Sequence, residues 1–162
     1  MIHPKQWHVA LAAILLAVAG ALAFAVTDRS LPMHNTTADG LAIGGYDAVS
    51  YFPEGGGEPR LGDARWTAMR DGRRYHFASA ANRDRFLAAP ERFEPQYGGW
   101  CAYAVAHDYK YAVDPRSYLI AGDRLMLFYR GDKGDARAAF EQEGVEAGVR
   151  RADANWPALA AK

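Results

Sequence analysis

Ala64-Arg65-Trp66-Thr67-Ala68-Met69-Arg70-Asp71-Gly72-Arg73-Arg74-Tyr75-His76-Phe77 holds two strand-like runs on either side of an Asp-Gly pair. Asp-Gly tolerates the positive φ angles of a tight type I′ turn, so the two runs are expected to pair antiparallel. A second hairpin follows the same logic, with Ser117-Tyr118-Leu119-Ile120-Ala121 and Arg124-Leu125-Met126-Leu127-Phe128-Tyr129 around Gly122-Asp123. In its second run Leu125, Leu127 and Tyr129 fall on one face, and Met126 and Phe128 on the other. A strand apolar on both faces is expected inside the core.

Between the hairpins the spacing predicts a short helix. Ser79 is placed to cap it, Asn82, Phe86, Leu87 and Ala88 continue it, and Pro90 stops it. Phe86 and Leu87 are expected to face the sheet, with Phe93 packing just beyond. A further helix is expected from about Asp135 into Arg150-Arg151. Gly144 and Gly148 would each cost it about 1 kcal/mol relative to alanine, so an interruption is expected. Strands and helices mixed in this way indicate α+β. No internal repeat, heptad or low-complexity tract is apparent.

Upstream, Val9 to Val26 carries no charge and follows Lys5. The run is long for a signal-peptide core and short for a membrane span. Ala21-Leu22-Ala23 and Ala23-Phe24-Ala25 fit the small-x-small cleavage pattern; left uncut, the run would anchor the chain with Lys5 on the cytoplasmic side. Either reading places the remainder in the cell envelope, periplasmic, secreted or anchored facing outward. The expected organisation is a signal peptide or anchor over 1–26, a linker over 27–40, one domain over 41–157 and a tail over 158–162.

Without Lys5 the exported part keeps 18 basic residues against 19 acidic ones. No basic stripe is present, so nucleic-acid binding lacks its electrostatic footing.

Several stretches resemble the YHS-domain family, in its exported single-domain, (seleno)protein-like branch. They are Ile43-Gly44-Gly45-Tyr46-Asp47-Ala48-Val49-Ser50-Tyr51-Phe52, the run from Tyr75 to Phe86, the run from Pro90 to Tyr103, and Ala152-Asp153-Ala154-Asn155-Trp156-Pro157. The resemblance implies a zinc-finger-like, treble-clef-like core. Metal-binding members carry cysteines where this chain has Ser50, Ala78 and Asn82. Alanine offers no donor, so that metal site should be absent and the fold degenerate. Aromatic residues, Trp66, Phe77, Phe86, Phe93, Trp100, Phe128 and Trp156 among them, would supply the core instead.

The single cysteine, Cys101, lies in Tyr97-Gly98-Gly99-Trp100-Cys101-Ala102-Tyr103. One cysteine can form no internal disulfide. In an exported protein a lone thiol points to a reactive sulfur, a soft-metal ligand or an intermolecular bond, although free cysteine also serves as a small buried apolar residue. In some relatives the position resembles a selenocysteine site, which implies a nucleophilic or metal-binding chalcogen.

His107 is the candidate second ligand, or a cation that lowers the thiol pKa; His76, on a strand, is better suited to packing. Asp47, beside Gly44-Gly45, is expected to accept backbone N–H groups in a turn. Neither a nucleophile–base–orienter triad nor a Gly-rich phosphate loop can be read.

The expected function is a module that binds a thiophilic metal such as copper through Cys101, with His107, Met126 or another chain's Cys101 completing a low-coordinate site. The alternatives are a thiol redox protein that uses Cys101 on a partner protein, or a non-catalytic binding or scaffold module.

Overall fold

The computed structural model describes residues 31–161; the apolar run over 9–26 lies outside them. Strand β1 (Asp63–Arg70) pairs antiparallel with β2 (Arg73–Phe77). Asp71 and Gly72 join them with φ of 47° and 76°, as a type I′ turn requires. Ser79 caps α1 (Ala80–Ala88) by accepting the Asn82 N–H, and α2 (Pro90–Phe93) follows directly. Phe86 is buried as expected. Leu87 is not: it stands 56 % exposed. Next to Phe86 in sequence, it lies about 100° further around the helix, too far to share the narrow face that meets the sheet.

After α3 (Ala102–Ala106) comes the second hairpin, β3 (Asp114–Ala121) and β4 (Arg124–Phe128), so Asp114-Pro115 opens a strand. A small ribbon, β5 (Arg130–Gly131) with β6 (Gly134–Asp135), leads into α4 (Ala136–Gln142) and α5 (Val145–Ala160). The expected interruption falls at Gly144, which takes a φ of 93°. The fold is α+β, made of small antiparallel hairpins and short helices.

The backbone repeats itself, which the sequence conceals. Asp63↔Phe77, Thr67↔His76 and Arg70↔Arg73 in the first hairpin recur 51 residues later as Asp114↔Phe128, Tyr118↔Leu127 and Ala121↔Arg124, with the same bulge after the first pair. Each hairpin is preceded by a turn of three left-handed residues. In Ile43-Gly44-Gly45 φ runs 54°, 58° and 87°; in Tyr97-Gly98-Gly99 it runs 55°, 61° and 82°. The first turn ties to β2 through Ala42 N–H to Arg74 O (2.9 Å), the second to β4 through Gln96 N–H to Leu125 O (2.8 Å). Few side chains coincide beyond the glycines these φ angles favour, so the repeat is carried by hydrogen bonds.

Two cores result, and β4 serves both. Leu125 and Leu127 join Val49, Phe52, Tyr75, Phe77 and Phe86, while Met126 and Phe128 join Trp100, Cys101, Val105 and Phe140. This is the two-faced strand the sequence predicts, although Tyr129, just past its end, packs with the second core.

Residues 32–40, expected as a linker, are docked on the domain. Asn35 N–H donates to Gly98 O (2.8 Å), Asn35 Nδ2 to Gly99 O (3.0 Å), and Trp100 Nε1 to Pro32 O (3.0 Å). A Cβ on Gly98 would lie 2.2 Å from Met33 O, so only glycine admits the arm. At the other end α5 continues through Pro157 to Ala160 with Leu159 buried, where a tail was expected after 157. Trp156 stands edge-on to Tyr97 at 6.0 Å. Among the described residues no helix is long and apolar enough to cross a membrane.

Candidate functional site

Asp47 follows the first left-handed turn and is fully buried. Its Oδ1 accepts the N–H groups of Val49 (2.8 Å) and Ser50 (3.3 Å), and its Oδ2 accepts Ala78 N–H (2.8 Å) and Asn82 Nδ2 (2.7 Å). No salt bridge reaches it among the described residues, so hydrogen bonds alone hold its charge. The turn role expected of Asp47 is present and extends further, since the carboxylate also clasps the start of α1. Ser50 from the same turn, and Ala78 and Asn82 from 31 and 35 residues further on, converge on it.

Cys101 occupies the corresponding place after the second turn. Its sulfur accepts Tyr129 N–H at 3.3 Å, just as Asp47 accepts Ala78 N–H, and Tyr129 lies 51 residues beyond Ala78. The N–H groups of Tyr103 and Ala104, two and three residues on, also favour the thiolate, as those of Val49 and Ser50 serve Asp47. Cys101 N–H donates to Tyr111 O (3.0 Å), as Asp47 N–H does to Arg60 O (2.8 Å). Burial nevertheless dominates: it pushes the thiol pKa up, against the pull of the Tyr129, Ala104 and Tyr103 amides. The sulfur is therefore protonated at neutral pH.

The thiol belongs to a residue only 1 % exposed, yet that residue lines a cavity of about 440 Å³. Cys101 and Ala104, both buried, form its floor, and Ala136 and Ala139 widen it. Tyr103, Tyr109, Tyr111 and Tyr129 wall it, with Lys133 and Asp135 at the exposed rim. The walls are braced: Tyr111 stands edge-on to Tyr129 at 5.0 Å, and Lys133 Nζ donates to Tyr111 Oη at 3.0 Å. Lys133 makes no salt bridge among the described residues. Asp135 Oδ1 is engaged by Arg137 N–H (3.0 Å), capping α4.

His107 goes elsewhere. It is exposed, lies beside Glu143 (Nε2 to Oε2, 3.3 Å) and packs at a tilt against Tyr103 with ring centroids 4.5 Å apart. It is not among the residues lining the cleft. Met126 shares the second core with Cys101, fully buried, and His76 sits on β2 opposite Thr67. Among the described residues no three of His, Cys, Asp and Glu gather in one place. Sequence reading located the sulfur but missed the tyrosines and Lys133. Their one legible trace is the run Tyr109-Lys110-Tyr111; the partners at 129 and 133 arrive only through the second hairpin. No protein-family model, curated protein or solved structure matches the chain.

Proposed function

We propose that the chain is an exported, YHS-type domain that acts as a binding module, holding a small soft ligand in the tyrosine-walled cleft over Cys101. The observation that carries this reading is the cleft itself: the one cysteine forms the floor of a cavity of about 440 Å³, within the range of small-molecule sites. That volume far exceeds what a bare ion needs, and the sulfur is the only soft donor among its lining residues. A thiophilic metal such as copper(I) therefore enters as a complex that brings a donor of its own, with His107 outside the donor set.

The degenerate treble-clef-like core belongs to the same proposal. It is supported by the convergence of Ser50, Ala78 and Asn82 on Asp47, a hydrogen-bonded joint in place of a metal. The apolar run over 9–26 supports an envelope location, and the even charge balance speaks against nucleic acid. The thiol-redox alternative is weakened, since a protonated, buried thiol with no imidazole or ion-paired cation beside it is a poor nucleophile.

Copper(I) titrated against a competing chelator tests the metal reading. The wild-type domain is expected to take up one equivalent, and Cys101→Ala to lose at least about tenfold in affinity, the scale of one lost strong ligand contact. Equal uptake by the two proteins would end the metal reading.

A further inference from the structure

The cleft lies where the first half of the repeat keeps a side chain. In that half Phe86 packs on Phe77 with ring centroids 5.1 Å apart; in the second, Phe140 packs on Phe128 at 5.2 Å. Phe86 and Phe140 are thus counterparts. One helical turn before Phe86 stands Asn82, whose carboxamide completes the shell around Asp47. One turn before Phe140 stands Ala136, which carries no polar group and lines the cleft over Cys101. Both acceptors share the flanking turn and the backbone donors, so beyond the exchange of carboxylate for thiol the second half differs by a missing carboxamide and the space it leaves.

We infer that the ligand restores this group: a small molecule with a neutral carboxamide, its N–H donated to the Cys101 sulfur and its body laid against Tyr103, Tyr111 and Tyr129. This rests on the cleft being a binding site, and it names the head group the site takes. The cavity is several times the size of an amide, so the ligand has a body, and the tyrosine faces give that body its contacts. An anionic head group is disfavoured, because the floor is sealed from water and the nearby Tyr103, Ala104 and Tyr129 amides are already spent on the sulfur, so a carboxylate would lose its hydration without gaining donors.

The probes are iodoacetamide and iodoacetate, which present an amide and a carboxylate on the same reactive carbon. In each the sulfur bonds to the CH2 carbon, iodide leaves and the thiol proton passes to solvent. The ratio of the two rates is measured for folded wild type and for the same chain unfolded in urea, where no site exists. Folding is expected to raise the preference for iodoacetamide by about tenfold, the worth of about one well-made hydrogen bond.

Ala136→Asn, which installs the missing side chain, is expected to slow iodoacetamide about tenfold with the melting temperature unchanged. An unchanged ratio on folding overturns the inference whether or not that variant folds, and so does a thiol that neither reagent reaches. Copper uptake is scored separately: its failure beside a clear amide preference sinks the metal reading and leaves this one standing.

Discussion

Asn82 donates its carboxamide to the Asp47 carboxylate at 2.7 Å, with both residues buried. The contact links the loop before β1 to the start of α1, a junction that the apolar residues alone would leave loose. Asn82→Ala is expected to cost about 1.5–3 kcal/mol, the range for a hydrogen bond to a charged group. Asp47→Ala strands several donors at once and should cost more, at least about 3 kcal/mol. Urea unfolding of the two variants checks both, and an Asp47→Ala protein as stable as wild type would remove the joint from the account.

Neighbouring positions on α1 should behave in opposite ways. Phe86 packs on Tyr75 and Phe77 with centroids 4.7 and 5.1 Å away, so Phe86→Ala should cost about 3–5 kcal/mol. Leu87→Ser, at a site 56 % exposed, should stay within about 0.5 kcal/mol. Thermal melts of the pair decide which of them the sheet holds.

Much of this frame was legible in the chain. Asp71-Gly72 and Gly122-Asp123 gave both hairpins, because turn chemistry is local. Ser79 and Gly144 gave a helix start and a helix break for the same reason. The side of α1 occupied by Leu87 was not legible, since a two-stranded sheet covers less of a helix than an apolar stripe implies. The duplication stayed hidden because it lives in φ angles and backbone partners; Asp47 and Cys101 look unrelated as letters. The cleft was hidden too, for its walls come from three separate segments.

Gly98 holds the N-terminal arm. Gly98→Ala would force a side chain into a φ of 61° and set a Cβ 2.2 Å from Met33 O. A loss of about 1–3 kcal/mol is expected, together with cleavage within 32–40 under brief protease treatment. Protection of those peptide bonds equal to wild type would show that the arm tolerates the change.

Acid should loosen the same arm. His34 keeps a buried Nδ1 without a partner, and its pKa is lowered first by burial and then by the Arg73 guanidinium, with Asp71 pulling the other way. The unfolded imidazole titrates near about 6.5. The folded value lies lower, so the stabilisation is complete above that pH and is lost as pH falls from it toward the folded value. The protection factor of the Asn35 amide, corrected for the intrinsic pH dependence of exchange, should fall across that window in wild type and hold steady in His34→Gln.

The Cys101 thiol gives the opposite slope. An unfolded cysteine loses its proton near about 8.5, whereas burial keeps the folded one protonated to higher pH. Between those values the folded chain binds more protons, so stability falls as pH rises through the window. Chemical denaturation from pH 7 to 10 should show this decline, and Cys101→Ser should flatten it. A decline that persists in the serine variant would assign it to other groups.

Strand β4 gives Leu125 and Leu127 to one interior and Met126 and Phe128 to the other. Repeated units are often severable, but these two share a strand. A fragment ending after α1 would keep its own turn, hairpin and Asp47 joint, yet present a wall of Val49, Phe52 and Phe77 to water where its sibling's leucines belong. The molecule is therefore expected to assemble and come apart as one, since each half closes its interior with the strand they share.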